Sequence, residues 1–277
     1  MTTIDRSEIG RRFLELHRSK RMLLLPNAWD VSSARIFEEA GFPALGTTSA
    51  GIANALGYPD GQRIPAAKML EVVGRIAQAV SIPVTADMEA GYGSTPEQLA
   101  ELTRQVIGVG AVGMNLEDAS GGESLTDVNL QQDRIRAAID AAEHTGIPFV
   151  LNARTDIFLH SIGPAETRLH RTIERLNAFR QAGAQCLFAP GITAGDTIAQ
   201  LVRGVAGPLN ILATVGTPTV AELEALGVAR VSLGSGPMRS TLGLLVRIAR
   251  ELREKGDFSL MTDGAMSYAD ANRLVRG

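Results

Sequence analysis

The sequence predicts an α/β fold, a closed (β/α)8 TIM barrel carrying an extra C-terminal helix. Three observations predict it. One architectural phrase recurs along the chain, and its apolar runs are too short for helices and too continuously apolar for half-exposed strands. The length of 277 residues suits one barrel domain. The phrase is an amphipathic helix, a glycine stop, a short β-rich apolar run and then polar residues. It reads IFEEAG-FPALGTTS, QVIGVG-AVGMNLED, AAEHTG-IPFVLNARTD, RQAG-AQCLFAP and ELEALG-VARVSLGSG. Gly41, Gly110, Gly146, Gly183 and Gly227 each stand where a helix C-cap belongs.

In order, the strands are expected near 22–26, 43–48, 82–87, 111–117, 147–153, 185–189, 209–213 and 229–234. Eight units of even length favour closure over a doubly wound open sheet. The whole chain, 1–277, is expected as one barrel domain, with 253–277 as a C-terminal extension. That tail, EKGDFSLMTDGAMSYADANRLVRG after Leu252 and Arg253, reads as a loop and a final helix that packs on a neighbouring subunit. A homo-oligomer, dimer or tetramer, is therefore expected.

Composition narrows the function. Hydrophobic residues make up 45% of the chain and charged residues 21%, which supports a large core and excludes a disordered chain. The net charge is -3 and the basic residues are scattered, so no patch for nucleic acid is expected. No run approaches the ~20 apolar residues of a membrane span. The opening MTTIDRSEIGRRFLELHRSK is charged throughout and lacks the apolar centre of a signal peptide, so a cytoplasmic location is expected. Cys186 is the only cysteine; it has no disulfide partner and is expected to be buried in a strand.

In a (β/α)8 barrel the reactive groups lie at the C-terminal ends of the strands. The third strand ends in VTADMEAGYG, where Asp87 and Glu89, two apart on an extended chain, should share a face. The fourth ends in GMNLEDA and adds Glu117 and Asp118; the fifth ends in NARTD and adds Asn152, Arg154 and Asp156. Carboxylates crowded at one mouth repel unless a cation or protons compensate them. A hard divalent ion meets that need, and Mg2+ suits carboxylates completed by water and substrate oxygens. His17, His144, His160 and His170 miss the expected strand ends, which argues against zinc. Asp118 has a second reading, as the partner of a basic side chain or a helix cap.

Arg154 is the natural anchor for an anion, because its planar fork can grip a carboxylate with two parallel bonds. A salt bridge to a neighbouring acid is the rival reading. After the second strand, GTTSAGIANALGYPDG offers the hydroxyls of Thr47, Thr48 and Ser49 and the open backbone around Ala50 and Gly51, which suits carboxylate binding. No GxGxxG or Walker pattern is present, so nucleotide binding has no support.

The stretches PNAWDVSSARIFEEAGF, GTTSAGIANALGYPDG, ADMEAGYG, GMNLEDA and NARTD together resemble the isocitrate lyase/phosphoenolpyruvate mutase superfamily, in order and spacing, over essentially the whole chain. The resemblance implies a bound small 2-oxo-carboxylate and Mg2+, with Mn2+ as a substitute. It implies that Asp87 ligates the metal, that Glu89 and Glu117 contact the metal or its waters, and that Asp60 lies near those waters. Arg154 and the Thr48–Ala50 loop would then hold the substrate, leaving Arg154, Asp60 and Glu117 as the catalytic candidates.

The departures from that family select among its reactions. Its lyases carry a K-[KR]-C-G-H segment whose cysteine acts as general acid, where this chain has SGGESLTDVN; Ser120, Glu123 and Ser124 are no obvious replacement. The mutase lysine on that loop is missing too. After the sixth strand, where the lyases place a glutamate and the mutase a histidine, stand Ala189, Pro190 and Gly191. What is retained can stabilise an enolate, and decarboxylation of an oxaloacetate-like acid needs little more. The leading expectation is thus a decarboxylase or related C–C lyase of a phosphonomutase-like branch. Phosphonate C–P chemistry, of the phosphonopyruvate hydrolase or phosphoenolpyruvate mutase type, and a non-catalytic 2-oxo-acid-binding protein are the alternatives. Glycines at 121 and 122 permit movement of segment 119–129, which leaves open whether it acts as a lid.

Overall fold

The computed structural model describes residues 5–119 and 124–275. Its strands are β1 (Leu23–Leu25), β2 (Asn27–Ala28), β3 (Leu45–Thr47), β4 (Val84–Asp87), β5 (Gly113–Glu117), β6 (Val150–Arg154), β7 (Cys186–Phe188), β8 (Leu209–Leu212) and β9 (Arg230–Ser232). They pair in parallel in the order β1-β9-β8-β7-β6-β5-β4-β3-β2. Nine strands fill eight barrel positions because Pro26 parts one strand into β1 and β2. The first half pairs with β9 and the second with β3, so this single strand closes the ring. Pro26 has no N–H to offer a ladder, while its carbonyl accepts from Gly46 N at 2.8 Å.

The helices are α1 (Arg6–Arg18), α2 (Val31–Glu39), α3 (Ser49–Ala55), α4 (Ala66–Ala79), α5 (Pro96–Gly108), α6 (Val128–Glu143), α7 (Ala165–Gln181), α8 (Gly195–Gly204), α9 (Val220–Ala225), α10 (Gly236–Lys255), α11 (Ser259–Thr262) and α12 (Tyr268–Leu274). Their starts are written locally: Asp30, Thr95 and Thr219 form capping boxes with Ser33, Gln98 and Glu222. Their stops are too, since the five glycines expected at C-caps all have φ between 70° and 110°, where a Cβ is strained. The tail departs from expectation. The charged stretch RELREK is the polar end of α10 and not a loop, and the helix stops only at Gly256, whose φ is 64°. Beyond it α12 packs back on α2, with Arg273 paired to Glu39 at 2.7 Å and Leu274 buried. Among the described residues no helix is long and apolar enough to cross a membrane.

Most of the core lies between the strands and their covering helices. A second cluster sits within the barrel, where α1 lays Phe13 against Leu23, Leu25, Ala44, Val112, Val150 and Cys186. Gly113 makes that approach possible, because a Cβ there would stand 2.7 Å from the Val150 carbonyl and 2.9 Å from the Phe13 ring. Cys186 is fully buried among these apolar groups, which pushes its thiol up to about 11. His17 closes the same end beside Arg230, a fully buried guanidinium. Its Nδ1 lies 2.9 Å from the Phe13 carbonyl and therefore carries the proton, and its Nε2 faces Arg230 Nη1 at 3.4 Å.

A neutral imidazole is the only form that this place tolerates: burial, then the Arg230 charge, hold His17 down at about 3. The unfolded chain protonates His17 near pH 6.5 and the folded chain does not, so stability falls as pH drops through that window towards 3. Lowering pH from 6.5 to 5 should cost the native protein about 1.5–2 kcal/mol through this residue. Urea midpoints at the two pH values test this, and His17→Gln should flatten the difference. An undiminished slope in that variant would refute the assignment.

Candidate active site

The C-terminal ends of the strands surround a cleft of about 380 Å³ whose walls include Ser49, Asp60, Arg63, Glu89, Glu117, Arg154 and His160. A larger hollow of about 460 Å³, walled by Leu16, Met22, Phe42 and Pro43 among others, has no carboxylate in its lining. The chemistry therefore belongs to the cleft.

Asp87 ends β4 against the start of α3. Its Oδ2 accepts from Ser49 N at 3.0 Å and Ser49 Oγ at 2.7 Å, and its own N–H donates to Thr47 Oγ1 at 2.9 Å. Its Oδ1 is buried with no partner among the described residues. The polar turn expected after the second strand is thus the first turn of a helix. Thr48 caps it by accepting from Gly51 N, so the hydroxyls of Thr47 and Thr48 are occupied within the protein, while Ala50 is half-buried. Ser49 and Thr47 orient Asp87.

Glu89 corrects the expectation that it shares a strand face with Asp87. The strand stops at Asp87, and Glu89 has a left-handed φ of 51°, as do Tyr92 at 51° and Gln62 at 58°. Each such non-glycine residue stores about 1–3 kcal/mol of strain and persists only where its surroundings enforce it. Here Glu89 accepts from Gln62 N at 2.5 Å and from Tyr92 Oη at 3.0 Å, while Tyr92 N donates to Gln62 Oε1 at 2.6 Å. Buried Arg134 ties down the same turn through the carbonyls of Ala90 (2.5 Å) and Gly93 (2.9 Å). Burial, then the charge of Asp87, pushes the Glu89 carboxyl up. Burial and Glu89 push the Tyr92 phenol up as well, so it remains a donor. Asp60 stands on the rim, its carboxyl also raised by desolvation with a contribution from Asp87.

Arg154 lies between two carboxylates. Its Nη1 is 2.7 Å from Glu117 Oε2 and its Nε 2.6 Å from Asp156 Oδ1. Burial opposes its charge, but Glu117 and Asp156 hold it firmly protonated. Desolvation pushes Glu117 well above the usual carboxylate range and raises Asp156 also, in spite of the guanidinium. Two of the three guanidinium nitrogens are thus engaged within the protein, and Nη2 has no partner among the described residues. Asp118 turns away from the cleft, fully buried, and pairs with Arg175 at 2.5 Å.

Asp87, Glu89 and Glu117 do not converge into a ready cage: among the described residues no three His, Cys, Asp or Glu side chains do. Among the described residues, the buried carboxylate oxygens left without partners are Asp87 Oδ1 and Asp156 Oδ2. Asp87 Oδ1 fits a single hard cation completed by water and ligand oxygens, the coordination that Mg2+ favours.

Arg63, His160 and Tyr92 are neighbours of the cleft that the pattern of strand ends missed. His160 lies one turn beyond Asp156, its N–H on the Asp156 carbonyl at 3.0 Å, so an i, i+4 reading of TDIFLH would have found it. Ala189 is buried, and a Cβ on Gly191 would stand 2.8 Å from the Leu159 backbone, so the loop after β7 leaves no room for a side chain at that glycine. Ser120 and Glu123 lie outside the described residues, as do positions 121 and 122 of the segment considered as a lid. Ser124 is exposed, and Ala119 and Leu125 form an antiparallel bridge.

Comparison with known proteins agrees with this architecture. The family model for phosphoenolpyruvate phosphomutase matches residues 13–253. A solved structure from Burkholderia cenocepacia J2315, described as lyase/mutase, superposes with a TM-score of 0.91 at 40% identity, covering 97% of this chain and 96% of that one. Oxaloacetate acetylhydrolase, solved with its product oxalate, superposes with a TM-score of 0.86 at 28% identity, covering 98% and 95%. The 2-methylisocitrate lyase of Escherichia coli is 28% identical over 260 residues, or 89% of this chain and 85% of that protein.

The Glu89 latch has a measurable cost. Tyr92→Phe removes one bond to a carboxylate and should lower the free energy of unfolding by about 1–2 kcal/mol. It should also speed hydrogen exchange at the Gln62 amide, which shares Glu89. Unchanged exchange there would mean that the turn holds without the phenol.

Proposed function

The chain belongs to the phosphoenolpyruvate phosphomutase family, and we propose that within it the protein is a Mg2+-dependent C–C lyase that decarboxylates a small 2-oxo dicarboxylate such as oxaloacetate through an enolate. The observation that carries this reading is Asp87. One of its oxygens is fixed by Ser49 and the other is buried and free, in a mouth where Arg154 keeps one nitrogen unengaged. Asp87 would hold the ion directly. Glu89 and Glu117, each already bonded, would reach it through water; Mn2+ is the expected substitute. When bound, the ion supplies positive charge that offsets the carboxylates and polarises the 2-oxo carbonyl.

The side chains do the rest. Arg154 Nη2 donates to the substrate carboxylate, and the fixed guanidinium meets the negative charge that develops as carbon dioxide departs. The start of α3, from Thr47 to Ala50, walls the ligand and keeps Asp87 aimed. Glu117, pushed up by burial, and Asp60 on the rim are the carboxyls that can hold a proton there. No thiol takes part, because Cys186 is buried at the other end of the barrel. The likeness to oxaloacetate acetylhydrolase with oxalate supports this substrate class. The family model itself favours C–P bond chemistry as the second reading.

We also propose a homo-oligomer, dimer or tetramer. Helix α10 buries only Met238 over 20 residues and exposes Leu242, Leu244, Leu245 and Val246, while Phe258, Met261 and Tyr268 beyond it are exposed too. Such an apolar surface is costly in water and marks an association face. Light scattering should give a multiple of 29.4 kDa, and Leu245→Glu with Val246→Glu should shift the protein towards monomer. A monomeric native protein would remove this proposal.

The activity is tested by Mg2+-dependent release of carbon dioxide from oxaloacetate, with pyruvate as product, inhibition by oxalate and negligible cleavage of isocitrate or 2-methylisocitrate. Oxalate mimics the planar enolate and should bind more tightly than substrate. Free Mg2+ decarboxylates oxaloacetate slowly, so the control is Asp87→Ala at the same metal concentration. Equal rates in that control overturn the decarboxylase reading, and turnover of phosphonopyruvate by the native protein establishes the second.

A further inference from the structure

Arg175 stands on α7 outside the cleft, yet an unbroken run of polar contacts joins it to Arg154. Arg154 Nε donates to Asp156 Oδ1 at 2.6 Å, the Asp156 N–H donates to Asp118 Oδ1 at 3.1 Å, and Arg175 Nε donates to Asp118 Oδ2 at 2.5 Å. Arg175 Nη2 also donates to the Thr126 carbonyl, and Thr126 N–H donates to the Asp118 carbonyl at 2.7 Å. The Arg175 guanidinium lies 5.5 Å from the Phe179 ring centre, which restricts it further.

Asp118 and Asp156 have no exposed side-chain surface. A carboxylate so placed depends on its cation, and Asp118 has one, Arg175. With Oδ2 fixed by Arg175, Oδ1 is fixed as well, and it is the atom that receives the Asp156 amide. That amide in turn sets the backbone from which Asp156 presents its own oxygen to Arg154. Among the described residues Arg175 touches none that line the cleft, so its influence there runs through Asp118 and Asp156.

We propose that Arg175 is a positioning residue: through Asp118 it fixes Asp156 and thereby the direction in which the Arg154 guanidinium meets an incoming carboxylate. The proposal rests on the reading of Arg154 as the carboxylate anchor. It differs from a merely structural role, in which loss of Arg175 would loosen the fold and leave the ligand affinity of the folded protein unchanged.

The test compares Arg175→Gln, Arg175→Lys and Asp118→Asn with the native protein. Melting temperature, hydrogen exchange at the Asp156 amide and calorimetric titration with oxalate in Mg2+ are the three readouts. Arg175→Gln should weaken oxalate binding tenfold or more and speed exchange at Asp156, whereas Arg175→Lys, which keeps a cation within reach of Asp118, should restore both to within about threefold. Asp118→Asn should behave as Arg175→Gln, because Arg175 Nε and the Asp156 N–H approach different oxygens of Asp118 and an amide keeps an acceptor on only one of those two sides. It carries the test if Arg175→Gln does not fold. A folded Arg175→Gln or Asp118→Asn variant with native oxalate affinity overturns the proposal, whatever its melting temperature and Asp156 exchange. If the native protein itself ignores oxalate, the reading of the cleft has failed separately. Exchange at Asp156 then decides: accelerated in Arg175→Gln, it upholds the positioning run, and unchanged, it overturns it.

Discussion

The site is organised by one half-buried ion pair, Arg154 against Glu117, and by the register that produces it. Strands β5 and β6 place Glu117 opposite Arg154 and, two residues earlier, Asn115 opposite Asn152, whose side chains bond at 2.8 Å. A slip of one residue would turn one member of each pair towards the covering helices and part it from the other, so the apolar pattern and the polar pairs enforce the same alignment. The remaining acids of the mouth are then arranged around a cation that cannot leave. Asp156 holds it from below, and Glu89 is turned aside onto the strained backbone of its own loop.

The parts of this structure legible in the sequence are those whose cause is local. Each of the eight expected runs contains strand, because an apolar run between a glycine stop and a polar cluster has few other solutions. The same applies to the helix starts at Asp30, Thr95 and Thr219. Pro26 hides in plain sight: nothing near it says that the two halves of its strand serve opposite neighbours, since that follows from closure of the whole ring. The turn after the second strand reads as a loop, since SAGIANA is short and glycine-bearing, yet capping by Thr48 suffices to make it helical once tertiary packing covers it.

The site was legible in kind and less so in geometry. Strand-end position identified Asp87, Glu117 and Arg154 as neighbours, since parallel strands bring their ends together whatever the loops do. Alternation failed for Glu89 because a left-handed residue abolishes it, and the causes of that conformation, Gln62 and Arg134, come from distant segments. The rival reading of Arg154, a salt bridge to a neighbouring acid, holds twice over, with Glu117 and Asp156. A fork drawn from sequence faces an empty mouth, whereas the folded chain neutralises it in advance, so a ligand meets one open nitrogen and must compete for the others.

Gly191 bears on how such a barrel changes its chemistry. With φ at 86° and the Leu159 backbone 2.8 Å from where a Cβ would lie, the loops after β6 and β7 touch main chain to main chain. A descendant could not acquire an acid or an imidazole at this glycine by a single codon change. The turn from Phe158 to Leu159 would first have to retreat, and His160 would be carried with it. Any ancestor that bore a reactive side chain at 191 must have had a different neighbouring loop, so the two loops should be inherited, or exchanged, as one unit.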